Sequence, residues 1–279
     1  MRCLFFAIVG LAFISSLGFS QEIEKPAAQV EYHRQRQNGW KVADSTNFRL
    51  FYLDDFNRPE QVLVMAEKTR VTVSKKWLDM GAEPHWDDRC RIVIYATAES
   101  YGWATGVAKE SPGHSQIELN GSRVVSLCVN LRADFTNMES AVLPHEVTHV
   151  TIAGQFGAKS IPRWADEGIA VLSEPEVVVN RHLGNLAGFY KDGRYFKAGD
   201  LMGLADYPHP QLVEPFYGQS ISLVQYLTNL KDARTFGKFL KQSQEKGYDE
   251  ALKLHYGIDG TEALDRAWRK HIDRRKKTD

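Results

Sequence analysis

Five consecutive residues of this 279-residue chain, His145-Glu146-Val147-Thr148-His149, set two imidazoles four positions apart around a carboxylate. On an α-helix, residues four apart lie about 40° from one another around the axis and one turn along it. Both imidazoles therefore leave the same face, close enough to hold one cation at roughly 2.0 Å each. Glu146, one step on, projects beside that cation, where it could hold a metal-activated water and accept its proton. A catalytic zinc needs a third protein ligand and one open position. Glu167 is the expected third ligand, in Ile161-Pro-Arg-Trp-Ala-Asp-Glu-Gly-Ile-Ala-Val-Leu-Ser-Glu. A turn over 154–161 and a second helix would bring its carboxylate back to the histidines. One Zn2+ per chain is the cofactor this pattern predicts.

The elements that must carry these groups are partly legible. Ala141, Val142, Leu143, Val150, Ile152 and Ala153 flank the motif, which predicts a buried helix rather than a solvated face. Two imidazoles and a carboxylate in such a place would be costly without a shared partner. Asn137 is the expected cap, with Glu139 and Ser140 in the first turn, Phe156 near the end and Gly157 as the stop. Pro144 either kinks this helix or starts a fresh one at the motif.

Upstream, Asn47-Phe-Arg-Leu-Phe-Tyr-Leu reads as a first strand. Val62, Met65, Ala66, Thr69, Val73 and Trp77 recur at helical spacing from Pro59 to about Leu78. A loop over Gly81–Asp88, a strand over Arg91–Ala96 and an irregular exposed loop over Tyr101–Ser115 follow. Short strands are predicted at Gln116–Leu119 and Val124–Leu131. Beyond Gly157 helices dominate: Trp164–Ser173, a mixed stretch over Glu174–Ala198, then Tyr217–Leu230, Thr235–Glu245, Tyr248–Tyr256 and Thr261–Ile272. There is no internal repeat. The fold class expected is α+β, with a strand-rich part to about residue 156 and a helical part after it, facing each other across a cleft floored by the motif helix.

Composition narrows the partners. With 43% hydrophobic and 25% charged residues the chain is ordinary for a globular protein. Lys+Arg and Asp+Glu balance at 35 each, so no net field points to nucleic acid or an anionic membrane. Arg2 and the apolar run Leu4–Phe19 predict a signal peptide over 1–20, cleaved near Ser20, and hence export to the periplasm or medium. The run is shorter than the ~20 apolar residues of a bilayer span, which disfavours an uncleaved anchor. No later segment reads as a membrane span. Residues 21–43 read as a polar lead-in and 44–279 as the catalytic domain. Cys90 and Cys128 would form either one disulfide or two buried thiols.

The segments Leu143-Pro-His-Glu-Val-Thr-His-Val and Pro162-Arg-Trp-Ala-Asp-Glu-Gly-Ile-Ala-Val resemble the thermolysin-like zinc peptidases, the gluzincins, and particularly the bacterial peptidase-MA-like domains. The resemblance is specific over Asn137–Ser173 and weaker to the C-terminus. It implies a zincin-like fold, zinc on His145, His149 and Glu167, Glu146 as general base, and a peptide or protein substrate. Phe216-Tyr-Gly-Gln-Ser is similar to a segment that opens a helix behind the site, and it implies Tyr217 as oxyanion stabiliser. His209, on a proline-bounded loop, is the alternative donor. No Gly-x-Met-Glu-Asn segment precedes the motif, so exopeptidase activity is unsupported. Val171 stands four after Glu167, where thermolysin-like enzymes carry an aspartate that orients a ligand histidine. A zinc amidase acting on a non-protein bond, such as one in a cell wall, and an inactive zinc scaffold are the competing readings. The intact Glu146 opposes the latter.

Other polar residues carry weaker expectations. Asp166 and Thr148 either orient ligands or are solvated. His85 and His114 are expected in solvated loops, Trp164 in the core, and Arg266–Lys277 as a charged helix end.

Overall fold

The computed structural model describes residues 29–78, 86–121, 123–156 and 160–275. The expected signal segment, His85 and Gly157 lie outside the described residues. A six-stranded mixed sheet comes first, in the order β1-β2-β3-β4-β6-β5. Its strands are β1 (Glu31–Tyr32), β2 (Lys41–Asp44), β3 (Phe48–Tyr52), β4 (Cys90–Tyr95), β5 (Gly113–Asn120) and β6 (Arg123–Arg132). β3, β4 and β6 run parallel to one another, while β2 and β5 are antiparallel to their neighbours. β1 and β2 thus draw part of the expected lead-in into the sheet.

Strand side chains alternate between faces. Phe48 and Leu50, Cys90, Ile92 and Ile94, and Val129 and Leu131 share one face by register. They pack with Val62, Leu63 and Ala66 of α1 (Pro59–Val73) and with Leu143, Val147 and Val150 of the motif helix. A π-helical turn over Ser74–Leu78 carries Trp77 into the second core. The same register decides the cysteines. Cys128 stands opposite Arg91, not Cys90, so the two thiols point to opposite faces and both are free and buried.

The stretch expected as an irregular loop, Tyr101–Ser115, is mostly ordered structure. α2 (Ala98–Thr105) begins at a reciprocal Thr97–Ser100 capping box and ends at Gly106, whose φ of 70° is left-handed. Its Tyr101 is fully buried. The Gly, Ser and Pro that signal a loop are concentrated after Gly106 and end where β5 begins. The two short strands expected there are one long antiparallel hairpin. Gly113 lets β5 lie against the turn that leads into the motif helix, since a Cβ there would meet Val142 Cγ1 at 2.9 Å.

The motif helix α3 spans Leu143–Ile152 and follows a π-helical turn at Met138–Val142. Leu143 N–H reaches back five residues to the Met138 carbonyl. An α-helical turn would press the Pro144 ring on the carbonyl four residues earlier; the wider turn removes that clash and the proline opens a fresh helix. Asn137 makes no side-chain cap. The helix ends at Ile152 rather than Phe156, because Ala153 is extended (ψ 132°) and Gly154 takes φ 70°.

The helical half contains α4 (Arg163–Val171), α5 (Glu176–Gly184), α6 (Leu186–Lys191), α7 (Ala198–Gly203), α8 (Val213–Leu230), α9 (Ala233–Lys246), α10 (Tyr248–Tyr256) and α11 (Gly260–Arg275). Its core gathers Trp164, Phe216, Phe236, Phe239 and Trp268, all fully buried. Trp164 and Trp268 place their indole N–H on Tyr248 Oη (3.2 Å) and Ser222 Oγ (3.0 Å), which removes the cost of burying those donors. No helix among the described residues is long and apolar enough to cross a membrane.

Candidate metal centre

α3 and α4 meet so that His145, His149 and Glu167 converge, their ligand atoms all within 4.8 Å of one another. No other group of this kind occurs among the described residues. Glu167 Oε2 lies 3.4 Å from His145 Nε2 and 3.9 Å from His149 Nε2. The close approach has a backbone cause: next to Glu167, Gly168 faces α8, and a Cβ there would sit 2.6 Å from Val224 Cγ2. Only glycine lets α4 settle deeply enough.

Both imidazoles are oriented from behind. Asp166 Oδ1 is 2.8 Å from His149 Nδ1, and Glu174 Oε1 is 2.8 Å from His145 Nδ1. A carboxylate on one ring nitrogen sets the tautomer and turns the other nitrogen to a metal. Of the two orienting candidates, Asp166 takes the role and Thr148 does not; the Thr148 hydroxyl donates to the Pro144 carbonyl at 2.7 Å. Glu174 went unrecognised as a site residue. It stands three residues beyond Val171, just past the end of α4, where its carboxylate meets His145.

The electrostatics fit a cation. Burial alone would depress both histidines, but Glu167 and Glu174 raise His145 well above its usual value. Burial is likewise outweighed at His149, which Asp166 lifts to about 9. Burial would raise Glu167, yet His145, His149 and Tyr207 hold it at about 2. Glu167 Oε2 is buried without a hydrogen-bond partner. An ionised oxygen so placed is expensive unless positive charge lies beside it, whether on the two facing imidazoles or on a metal ion held by all three groups. Two imidazoles plus a carboxylate are a donor set suited to zinc with an open position.

Glu146, one residue on, is buried and not part of the ligand group. Burial, helped by the charge of Glu167, raises its pKa against the pull of His145, His149 and Ser115. It lines a cleft of about 750 Å³ between β5 residues including Ser115 and Ile117 and the faces of α4, α5 and α8.

Tyr217, in the second turn of α8, reaches this cleft. Burial and the nearby Glu167 charge push its pKa far up, so it is a neutral hydroxyl donor. His209 is not among the cleft-lining residues. Its exposed ring instead accepts from Gln211 N–H at 3.5 Å. The loop it sits on does reach the centre, but through Tyr207, whose hydroxyl donates to Glu167 Oε1. His114 is not a solvated loop residue; it lies on β5, half-buried, 2.6 Å through Nδ1 from Tyr101 Oη. His182, buried on α5, lines the cleft with its ring 5.8 Å from that of Tyr217. Tyr207 and His182 carried no local signal, since neither belongs to a spaced motif.

No protein-family model matches this chain, and no curated protein matches it either.

Proposed function

We propose that this chain is an exported, zinc-dependent metallopeptidase of zincin-like, gluzincin type that hydrolyses peptide bonds. The observation that carries the reading is the convergence of His145 Nε2, His149 Nε2 and a Glu167 Oε2 that accepts no hydrogen bond, beside a buried Glu146. Zinc held by these three groups would supply Lewis acidity, polarising a substrate carbonyl and acidifying water. Glu146 accepts a proton from the attacking water and returns it to the leaving amine. Its raised pKa suits both halves of that transfer. Tyr217, held neutral, donates a hydrogen bond to the oxygen that becomes negative at the attacked carbonyl. Asp166 and Glu174 keep the imidazoles turned inward throughout. A peptide or protein substrate would lie in the cleft along β5.

Metal analysis of the purified mature chain and cleavage of a mixed peptide library test this together. One zinc per chain is expected, with Glu146→Gln retaining the metal and losing roughly 100-fold or more of the turnover. Zinc uptake without any peptide cleavage would move the reading to a non-protein amide or an inactive scaffold. A chain that takes up no zinc removes the reading altogether.

A further inference from the structure

The geometry points to Tyr207 as a positioning residue that makes Glu167 a one-oxygen ligand, with Arg163 holding Tyr207 in place. This rests on the zinc reading above. The two oxygens of Glu167 have different surroundings. Oε1 accepts a hydrogen bond from the Tyr207 hydroxyl and lies 3.8 Å from Arg163 Nη1. Oε2 faces both Nε2 atoms and has no hydrogen-bond partner. The Arg163 guanidinium sits 4.7 Å over the Tyr207 ring, a cation–π contact that clamps the phenol from above.

A carboxylate that is free to turn can offer either oxygen or both to a metal. With Oε1 taken by a phenol, only Oε2 is offered, and the coordination position the second oxygen would occupy stays open for water and substrate. Tyr207 is poorly placed to serve the core instead. It is 49% exposed and reaches the site from the segment between α7 and α8. Its ring meets Phe216 edge-on at a centroid distance of 6.0 Å and Tyr217 at 6.4 Å. Partners of this kind behind a ligand typically contribute 10- to 100-fold in metal affinity or activity.

The test uses the full mature chain and the metals alone. Zinc affinity is measured by competition with a chelating dye, and the visible d–d spectrum is recorded after loading with Co2+. Tyr207→Phe, which keeps the ring and deletes the hydroxyl, is expected to fold as wild type. It should weaken zinc binding about 10-fold or more and alter the Co2+ spectrum as the carboxylate turns. Arg163→Met is the second variant, with a smaller change in the same direction. Wild-type affinity together with an unchanged Co2+ spectrum in both variants overturns the role of Tyr207 and leaves the zinc site standing. Failure of the wild-type chain to bind zinc overturns both.

Discussion

Glu174 and His145 stand 29 residues apart in the chain, yet their side chains meet at 2.8 Å through Oε1 and Nδ1. The contact leaves His145 Nε2 directed to the place where His149 Nε2 and Glu167 Oε2 converge. Asp166 does the same for His149. Replacing Glu174 by Gln keeps its size and removes the carboxylate acceptor that, after Glu167, raises His145 basicity. A zinc affinity lowered by roughly 10-fold is expected, read by chelator competition. An affinity equal to wild type would mean that Glu174 packs against the histidine without tuning it.

Gly168 sets how closely α4 approaches α8. A methyl group there would meet Val224 Cγ2 at 2.6 Å and the Ser220 carbonyl at 2.8 Å. One obstacle is backbone, so the helix must move. Gly168→Ala is expected to cost about 1–3 kcal/mol of stability by overpacking and to weaken zinc binding, because Glu167 moves with the helix. Denaturant unfolding checks the first part. An unchanged midpoint would show that the interface yields freely.

The cysteines give a redox prediction. Cys90 and Cys128 are buried on opposite faces of the sheet, and burial raises both thiol pKa values. In the native protein Cys90 and Cys128 should therefore resist thiol reagents, and both should titrate on unfolding. Reductant should leave the melting temperature unchanged. A fall on reduction would require a disulfide that this register forbids.

Acid sensitivity should centre on Asp44. It is buried and accepts two hydrogen bonds from Arg49, at 2.8 and 2.7 Å, with Arg89 at 3.3 Å and His33 at 3.1 Å. Burial would raise its pKa, but the Arg49 and His33 hydrogen bonds and the arginine charges hold it below the usual carboxylate value. Since the folded pKa lies below the unfolded one, the stabilisation is complete above the unfolded value of about 4 and fades as pH falls through the folded value. Asp44→Asn should cost about 1–3 kcal/mol at pH 7, at the low end because the arginines are partly solvated. Thermal melts at pH 7 and below pH 4 should show the gap between the two proteins closing. A gap of constant size would assign the cost to packing.

Local spacing carried the heart of the site. His145 and His149 stand one helical turn apart with Glu146 one residue after the first, a geometry that the backbone dictates wherever the segment is helical. Their apolar flanks identified the buried face, and the aromatic and branched residues of Asn47–Leu53 and Arg91–Ala96 identified the strands observed at Phe48–Tyr52 and Cys90–Tyr95. Glu167 was reachable because a second helix follows a turn. The sequence also held the capping pair Thr97 and Ser100, but the Gly, Ser and Pro residues beyond Gly106 masked the short helix they start.

What lay beyond the sequence depends on packing between distant segments. Whether Cys90 and Cys128 pair is a matter of register between β4 and β6. That Asp166 and Glu174 take one imidazole each follows from the depth at which α4 settles on α8, which Gly168 permits. Tyr207 rather than His209 reaches the centre because the segment before α8 presents one and turns the other to solvent. Spacing along one element is set by backbone geometry and can be read residue by residue; the meeting of side chains from separate elements is set by how their faces interlock, which only the folded chain decides.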